Sequence, residues 1–263
     1  MTGSILGLAI GMLLGLTGAG GGILAVPALM FGLRMPLADA APVALIAVGA
    51  AAAVGAAQGL RQGLVRYKAA VLMAVAGGLT APAGLQLARQ LPPAWLSLGF
   101  AAIMVIVATR MIRSPGGGPA DAAMPAAKPC RLSPETGKFI WTGRAAATLG
   151  AIGAVSGLCT GMLGVGGGFI IVPAFSYFTD ARMHSIVSTS LMIIALVSAA
   201  TVASAATHGL ALSAPQWAFI GAAVAGMGVS RGFAQRVPQV ALRRAFALAC
   251  LVVAALLAWR AMH

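Results

Sequence analysis

Long runs without a single charged residue alternate with short clusters of arginine and lysine along this chain. Ala40 to Leu60, Ala69 to Ala88, Ala94 to Thr109, Ser185 to Ala206 and Pro215 to Val229 hold no Lys, Arg, Asp or Glu. A helix needs about 20 apolar residues to cross the hydrocarbon layer, fewer where its end residues snorkel. The runs therefore predict membrane-spanning helices, and the charged clusters predict the connections between them. Two other apolar stretches are interrupted by glycine. Gly15-Leu-Thr-Gly-Ala-Gly-Gly-Gly-Ile-Leu-Ala-Val-Pro27 returns 146 residues later as Gly161-Met-Leu-Gly-Val-Gly-Gly-Gly-Phe-Ile-Ile-Val-Pro173.

The repeat continues beyond the glycines at the same offset. Leu45 meets Leu191, Gly63 meets Gly209, Leu64 meets Leu210, Pro92 meets Pro238 and Phe100 meets Phe246. An ungapped register of this length reads as duplication. Each half follows one plan: a glycine-broken segment, then three continuous apolar helices. Residues 1–113 form the first membrane repeat and 139–263 the second. Between them, 114–138 is rich in proline and glycine, a composition that builds a linker rather than a packed core.

Composition sharpens the class. Apolar residues make up 60% of the chain and charged residues 8%, against about a quarter charged in soluble domains. The fold class is all-α, a polytopic helical membrane protein, and the setting implied is the lipid bilayer. The net charge of +13 reads as topology-setting residues in short loops, not as a nucleic-acid surface, because no basic patch is interleaved with stacking aromatics. The odd set Cys130, Cys159 and Cys250 signals neither disulfides nor a metal site. The start of the chain has no basic stretch before its apolar run, so no cleaved signal peptide is expected.

Charge also bears on how the halves are related. If each glycine-broken segment dips in and returns, fourteen of the seventeen Lys and Arg share one side, leaving only Arg34, Arg89 and Arg260 opposite. If the segments cross completely, the division is ten to seven. The positive-inside tendency favours the first arrangement, which predicts inverted repeats with re-entrant broken segments.

Backbone that leaves the helix at membrane depth survives only where protein or water satisfies it. Gly18, Gly20, Gly21 and Gly22, with Gly164, Gly166, Gly167 and Gly168, can turn successive N–H groups into one concavity. The helix that follows adds its free N–H groups and positive dipole end. Two such nests suit a small anion, and a half-broken helix at equivalent points of two repeats is a pointer to a transporter's site. The hydroxyls of Ser188, Thr189 and Ser190 are further binding candidates. Second-rank candidates are Thr17, Cys159 and Thr160 beside the glycines, Gln62 and His208 at equivalent positions, and Pro27 and Pro173, expected to shape the first turn after each break. The competing account of the glycines is close helix packing.

Only Asp39, Asp121, Glu135 and Asp180 carry carboxylates, and none falls inside an apolar run. Cation transport and carboxylate proton relays are disfavoured accordingly. No cofactor, metal or catalytic constellation is indicated, so an enzyme is not expected. A membrane-embedded thiol protein using Cys159, or a partner protein whose glycines only pack helices, are the rivals. A homo-oligomer is compatible with the pattern.

The doubled G-x-x-G-x-G-G-G…V-P phrase, the Ser188-Thr-Ser190 cluster before Leu191, and His208-Gly-Leu210 together resemble the TauE/SafE sulfite exporter family of bacterial inner-membrane permeases. The resemblance covers nearly all of the chain outside the linker. It implies a multi-pass protein of the cytoplasmic membrane that exports sulfite, sulfoacetate or another small sulfur-containing or organic anion. The first half departs from this pattern, with Pro42, Val43 and Ala44 opposite the hydroxyl cluster and Gln62 opposite His208.

Overall fold

The structure is a computed structural model. It describes residues 2–17, 21–113, 141–163, 167–179, 183–206 and 213–233, with helical residues between 248 and 259. The expected linker, 114–138, lies outside the described residues. In order come α1 (Thr2–Thr17), α2 (Gly21–Gly32), α3 (Leu37–Arg61), α4 (Tyr67–Gln90), α5 (Pro93–Arg113), α6 (Gly143–Leu163), α7 (Gly168–Phe178), α8 (Met183–Ala206) and α9 (Ala214–Phe233). α6 to α9 follow the same order as α1 to α4: each glycine phrase lies between a first helix and a short second one, the 12-residue α2 and the 11-residue α7.

Among the described residues four helices are long and apolar enough to cross a membrane: Asp39–Arg61, Tyr67–Ala88, Gly143–Met162 and His184–Ala203. The 12 residues of α2 reach only about 18 Å at 1.5 Å per residue, short of the roughly 30 Å hydrocarbon layer. All four tryptophans, Trp95, Trp141, Trp217 and Trp259, are exposed and lie near helix ends, the level at which aromatic rings meet the membrane interface.

The broken segment of the first half is a helical hairpin. Gly32, ending α2, faces the side chain of Leu6 near the start of α1, and Gly3 lies beside Leu33. The chain therefore enters along α1 and returns along α2, with Gly21 and Gly22 at the start of the return.

Lipid is as apolar as leucine, so helices associate in it through close van der Waals contact at small residues. Here glycine stripes join the two halves by exchange. In α6, Gly153, Gly157 and Gly161 present bare faces to the carbonyls of Met73, Gly77 and Ala81 in α4. At the equivalent places Gly7 and Gly11 of α1 meet the carbonyls of Phe219 and Ala223 in α9, and Gly15 meets Met227 and Ser230. Numbers rise together in both pairs, so both are parallel. Thr80 adds a hydrogen bond, its Oγ1 donating to the Ala154 carbonyl at 2.7 Å.

The α3–α8 pair runs the other way: Gly49 meets Ser198, whereas Gly59 meets Ser188. Because α3 and α8 are equivalent helices, this antiparallel contact is the relation that inverted repeats require.

Local chemistry ends α3. Gly63 takes φ +67, Gly63 N–H donates to the Leu60 carbonyl and Leu64 N–H to the Gly59 carbonyl, each at 3.0 Å. These are the two bonds of a Schellman cap, whose left-handed position suits glycine. Pro27 is buried inside α2, and Pro173 falls at the equivalent place in α7. Both therefore lie past the first turn, contrary to the expectation that they shape it.

Candidate functional site

The second break is the better described. α6 ends at Leu163 and α7 begins at Gly168. Between them Gly167 adopts the left-handed conformation, φ 62 and ψ −5, as the residue that caps α7. Its carbonyl accepts from Ile170 N–H at 3.0 Å and from Ile171 N–H at 3.3 Å. The Ser156 hydroxyl of α6 also donates to that carbonyl, at 3.1 Å. A side chain at Gly167 has no room: its Cβ would meet the Ser156 hydroxyl, the Thr160 hydroxyl at 2.6 Å and the Ser156 carbonyl at 2.7 Å. Thr160 Oγ1 in turn donates to the Ser156 carbonyl at 2.7 Å. Ser156 and Thr160 are both buried, so two hydroxyls of α6 surround the glycine that turns the chain.

In the first half, α1 stops at Thr17 and α2 starts at Gly21. Gly22 and Ile23 are buried. The positions equivalent to Ser156 and Thr160 are Ile10 and Leu14, both in the apolar core. α2 and α7 approach one another. As each starts at a break, their N-termini, with their free N–H groups and positive dipole ends, lie toward the tips of the two broken segments.

Of the glycine candidates, Gly21 and Gly22 open α2, Gly168 opens α7 and Gly167 caps it. Gly18, Gly20, Gly164 and Gly166 lie outside the described residues, as does His208. Gly15 and Gly161 serve helix packing, so the phrase divides: its first glycine joins helices and its later glycines surround the break. Cys159 is half-buried and Thr17 is the last residue of α1. Gln62 caps α3 and is exposed.

The hydroxyl triplet of α8 sits at another level. Gly167 contacts Ser156; the neighbouring Gly157 packs on Gly77, which in turn faces Val197. Thr189 is eight residues from Val197, about 12 Å along the helix axis. Thr189 Oγ1 accepts from the Arg66 backbone N–H at 3.0 Å, Ser190 Oγ donates to the Val187 carbonyl of its own helix at 2.8 Å, and Ser188 lies against Gly59. Ser185 donates to the Leu64 carbonyl at 2.7 Å. The start of α8 thus clamps the α3–α4 turn, and the structure does not bring the triplet to Gly167. Sequence reasoning missed Ser156. Its signal was a hydroxyl one turn before Thr160, on a helix already marked by Gly153, Gly157 and Gly161.

Two clefts are present elsewhere. One of about 240 Å³ opens between α3 and α8, beside Gly49, Ala195 and Ser198. A wider groove of about 570 Å³ runs outside α4 beside Tyr67, Lys68 and Trp141. Neither is lined by the glycine breaks. Among the described residues no group of His, Cys, Asp or Glu could hold a metal ion.

Comparison with known proteins covers almost the whole chain. The family described as Sulfite exporter TauE/SafE matches residues 4–257. A "Probable membrane transporter protein" of Xylella fastidiosa strain 9a5c is 29% identical over 255 residues, covering 95% of this chain and 92% of the relative. Its counterpart in strain Temecula1 is 28% identical over the same shares. No solved structure matches the chain significantly.

Proposed function

The chain belongs to the sulfite exporter TauE/SafE family, and we propose that it carries a small sulfur-containing or organic oxyanion across the bacterial cytoplasmic membrane. It is a multi-pass membrane transporter rather than an enzyme, in keeping with relatives named as probable membrane transporters. Sulfite, sulfoacetate and similar sulfonates or carboxylates are the substrates we infer, with export as the direction. The observation that carries this reading is the second break, where left-handed Gly167 opens α7 against Ser156 and Thr160.

In this reading Gly18, Gly20, Gly21 and Gly22 and their counterparts Gly164, Gly166, Gly167 and Gly168 offer backbone donors to the anion. Two helix N-termini supply partial positive charge without a formal cation, which holds an oxyanion yet lets it leave. The bilayer then relates the halves as inverted repeats, a view supported by the antiparallel α3–α8 contact and the hairpin of α1 and α2. Rocking of one repeat against the other alternates access to the shared centre. Thr189, with Ser185, supports the α3–α4 turn, while Ser188 packs on Gly59 of α3 and Ser190 bonds within its own helix.

Proteoliposomes loaded with labelled sulfite or sulfoacetate test this. Flux should collapse on Gly167→Val, and on Gly21→Val, while the purified variants keep the wild-type helical spectrum and monodispersity. Wild-type flux in folded Gly167→Val would remove the breaks from the transport path.

A further inference from the structure

A second anion site, at one mouth of the protein, follows from the chemistry of Arg66. Side chains are described for five basic residues: Arg34, Arg61, Lys68 and Arg144 are exposed, and Arg66 is half-buried. Its Nε is fully withdrawn from solvent and has no hydrogen-bond partner among the described residues. A guanidinium is always charged and presents its donors in a fixed fork. Leaving one of those donors buried and unpaired is costly unless a ligand completes it.

The backbone around Arg66 is fixed from both sides. Thr189 Oγ1 holds the Arg66 N–H at 3.0 Å, the Ser185 hydroxyl holds the Leu64 carbonyl at 2.7 Å, and Val65 between them is buried. The Schellman cap at Gly63 fixes the approach to the turn. The guanidinium is thus carried on a braced turn beside the first turns of α8. In the second repeat the position equivalent to Arg66 is Leu212, and those equivalent to Ser185 and Thr189 lie in the first repeat as Asp39 and Val43. The device therefore occurs once, at one face only.

We propose that Arg66 captures the transported oxyanion at this face before it reaches the glycine breaks. The site deepens the function proposed above and rests on it. The ligand class is an anion with two oxygens on one edge, as in sulfite, a sulfonate or a carboxylate, which matches the Nε–Nη side of the fork once the half-buried side chain swings that edge out of its closed position. By the charge distribution Arg66 lies on the lysine- and arginine-rich side, the cytoplasmic side. For an exporter this is the side from which substrate arrives. The α8 hydroxyls, which the glycine breaks leave unexplained, acquire a role as the brace for this turn.

The test uses full-length protein in proteoliposomes of known orientation, with labelled sulfite and, separately, sulfoacetate. In Arg66→Gln the KM for sulfite presented at the Arg66 face should rise about tenfold, with Vmax within twofold of wild type and KM at the opposite face unchanged. Arg66→Lys, which keeps the charge but loses the fork, should fall between. An unchanged KM at the Arg66 face overturns the site. So does an equal rise at both faces, or a fall in Vmax alone, since a merely structural arginine would act in that way. Lost flux in Gly167→Val with normal KM in Arg66→Gln removes this site and leaves the breaks standing. Retained flux in Gly167→Val removes the breaks, while the one-sided KM shift still reads Arg66. Wild-type protein that moves neither anion overturns both.

Discussion

Gly167→Ala separates the two demands that the second break makes on glycine. The first is conformational: φ 62 lies in the left-handed region, where an L side chain costs about 1–2 kcal/mol. The second is steric, because the new methyl would meet the Ser156 and Thr160 hydroxyls and the Ser156 carbonyl at 2.7 Å. Overpacking of this kind costs about 1–3 kcal/mol. The combined loss is then about 2–5 kcal/mol. Gly63 is the internal control, since it has φ +67 but nothing within 4 Å of the place its Cβ would occupy. Gly63→Ala should therefore show the conformational cost alone, about 1–2 kcal/mol.

Thermal unfolding in detergent, followed by near-ultraviolet circular dichroism, reads the difference between the two variants. Adding Thr160→Ala to Gly167→Ala should recover part of the steric loss and none of the conformational one. Flux measured in parallel should fall steeply in Gly167→Ala and keep its Vmax in Gly63→Ala. Equal destabilisation by the two alanines would refute the steric argument. Full flux in Gly167→Ala would refute the claim that this turn belongs to the transport path.

Gly157→Ala should weaken the α4–α6 contact by about 1–3 kcal/mol, because its methyl would strike the Gly77 carbonyl. Gly150→Ala, on the same helix with open space around it, should be neutral or slightly stabilising, and folded yield and melting temperature compare the two. Thr189→Val removes the acceptor of the Arg66 N–H and should cost about 1–3 kcal/mol while raising KM at the Arg66 face, both read in the assays above. Cysteines at Gly49 and Ser198 should cross-link on oxidation, and so should a pair at Gly59 and Ser188, whereas Gly49 with Ser188 should not; the reverse pattern would refute the antiparallel α3–α8 contact. Cys159→Ala should retain wild-type flux, since among the described residues that half-buried thiol belongs to no cluster of His, Cys, Asp or Glu able to hold a metal ion; its loss would favour a thiol mechanism.

What was legible in the chain was whatever has a one-dimensional signature. Charge-free runs mark helices, a constant offset marks the duplication, and a triple glycine marks the place where a helix must stop. The side-by-side contact of Leu6 with Gly32, by contrast, has no signature in the order of residues. Partner choice between helices was not legible. Gly7, Gly11 and Gly15 carry the four-residue spacing of a packing stripe, but the spacing does not say that its partner is α9 of the other repeat. The hydroxyl triplet carries a related ambiguity. A polar residue on a membrane helix needs a partner, and sequence alone does not distinguish a substrate oxygen from a backbone N–H such as that of Arg66.

The exchange of helices between the halves bears on mechanism. Since α1 packs along α9 and α6 along α4, the first helix of each broken segment is carried by the other repeat's second continuous helix. In the transport cycle proposed above a broken segment would therefore not move with its own half alone: displacing α4 would drag α6 and the break at Gly167, and displacing α9 would drag α1. This coupling suits alternation, because either repeat that tilts shifts the opposite tip. Symmetry ends with the polar groups. Ser156 and Thr160 face Gly167, where the first half has Ile10 and Leu14, and Arg66 has Leu212 as its counterpart. A scaffold that moves symmetrically while binding asymmetrically presents different affinities at its two faces, and that follows only if the hydroxyl-lined tip and the braced arginine both contact the anion. Substituting Ser156→Ala and Arg66→Gln together should therefore bring the two faces' KM values closer than either change alone.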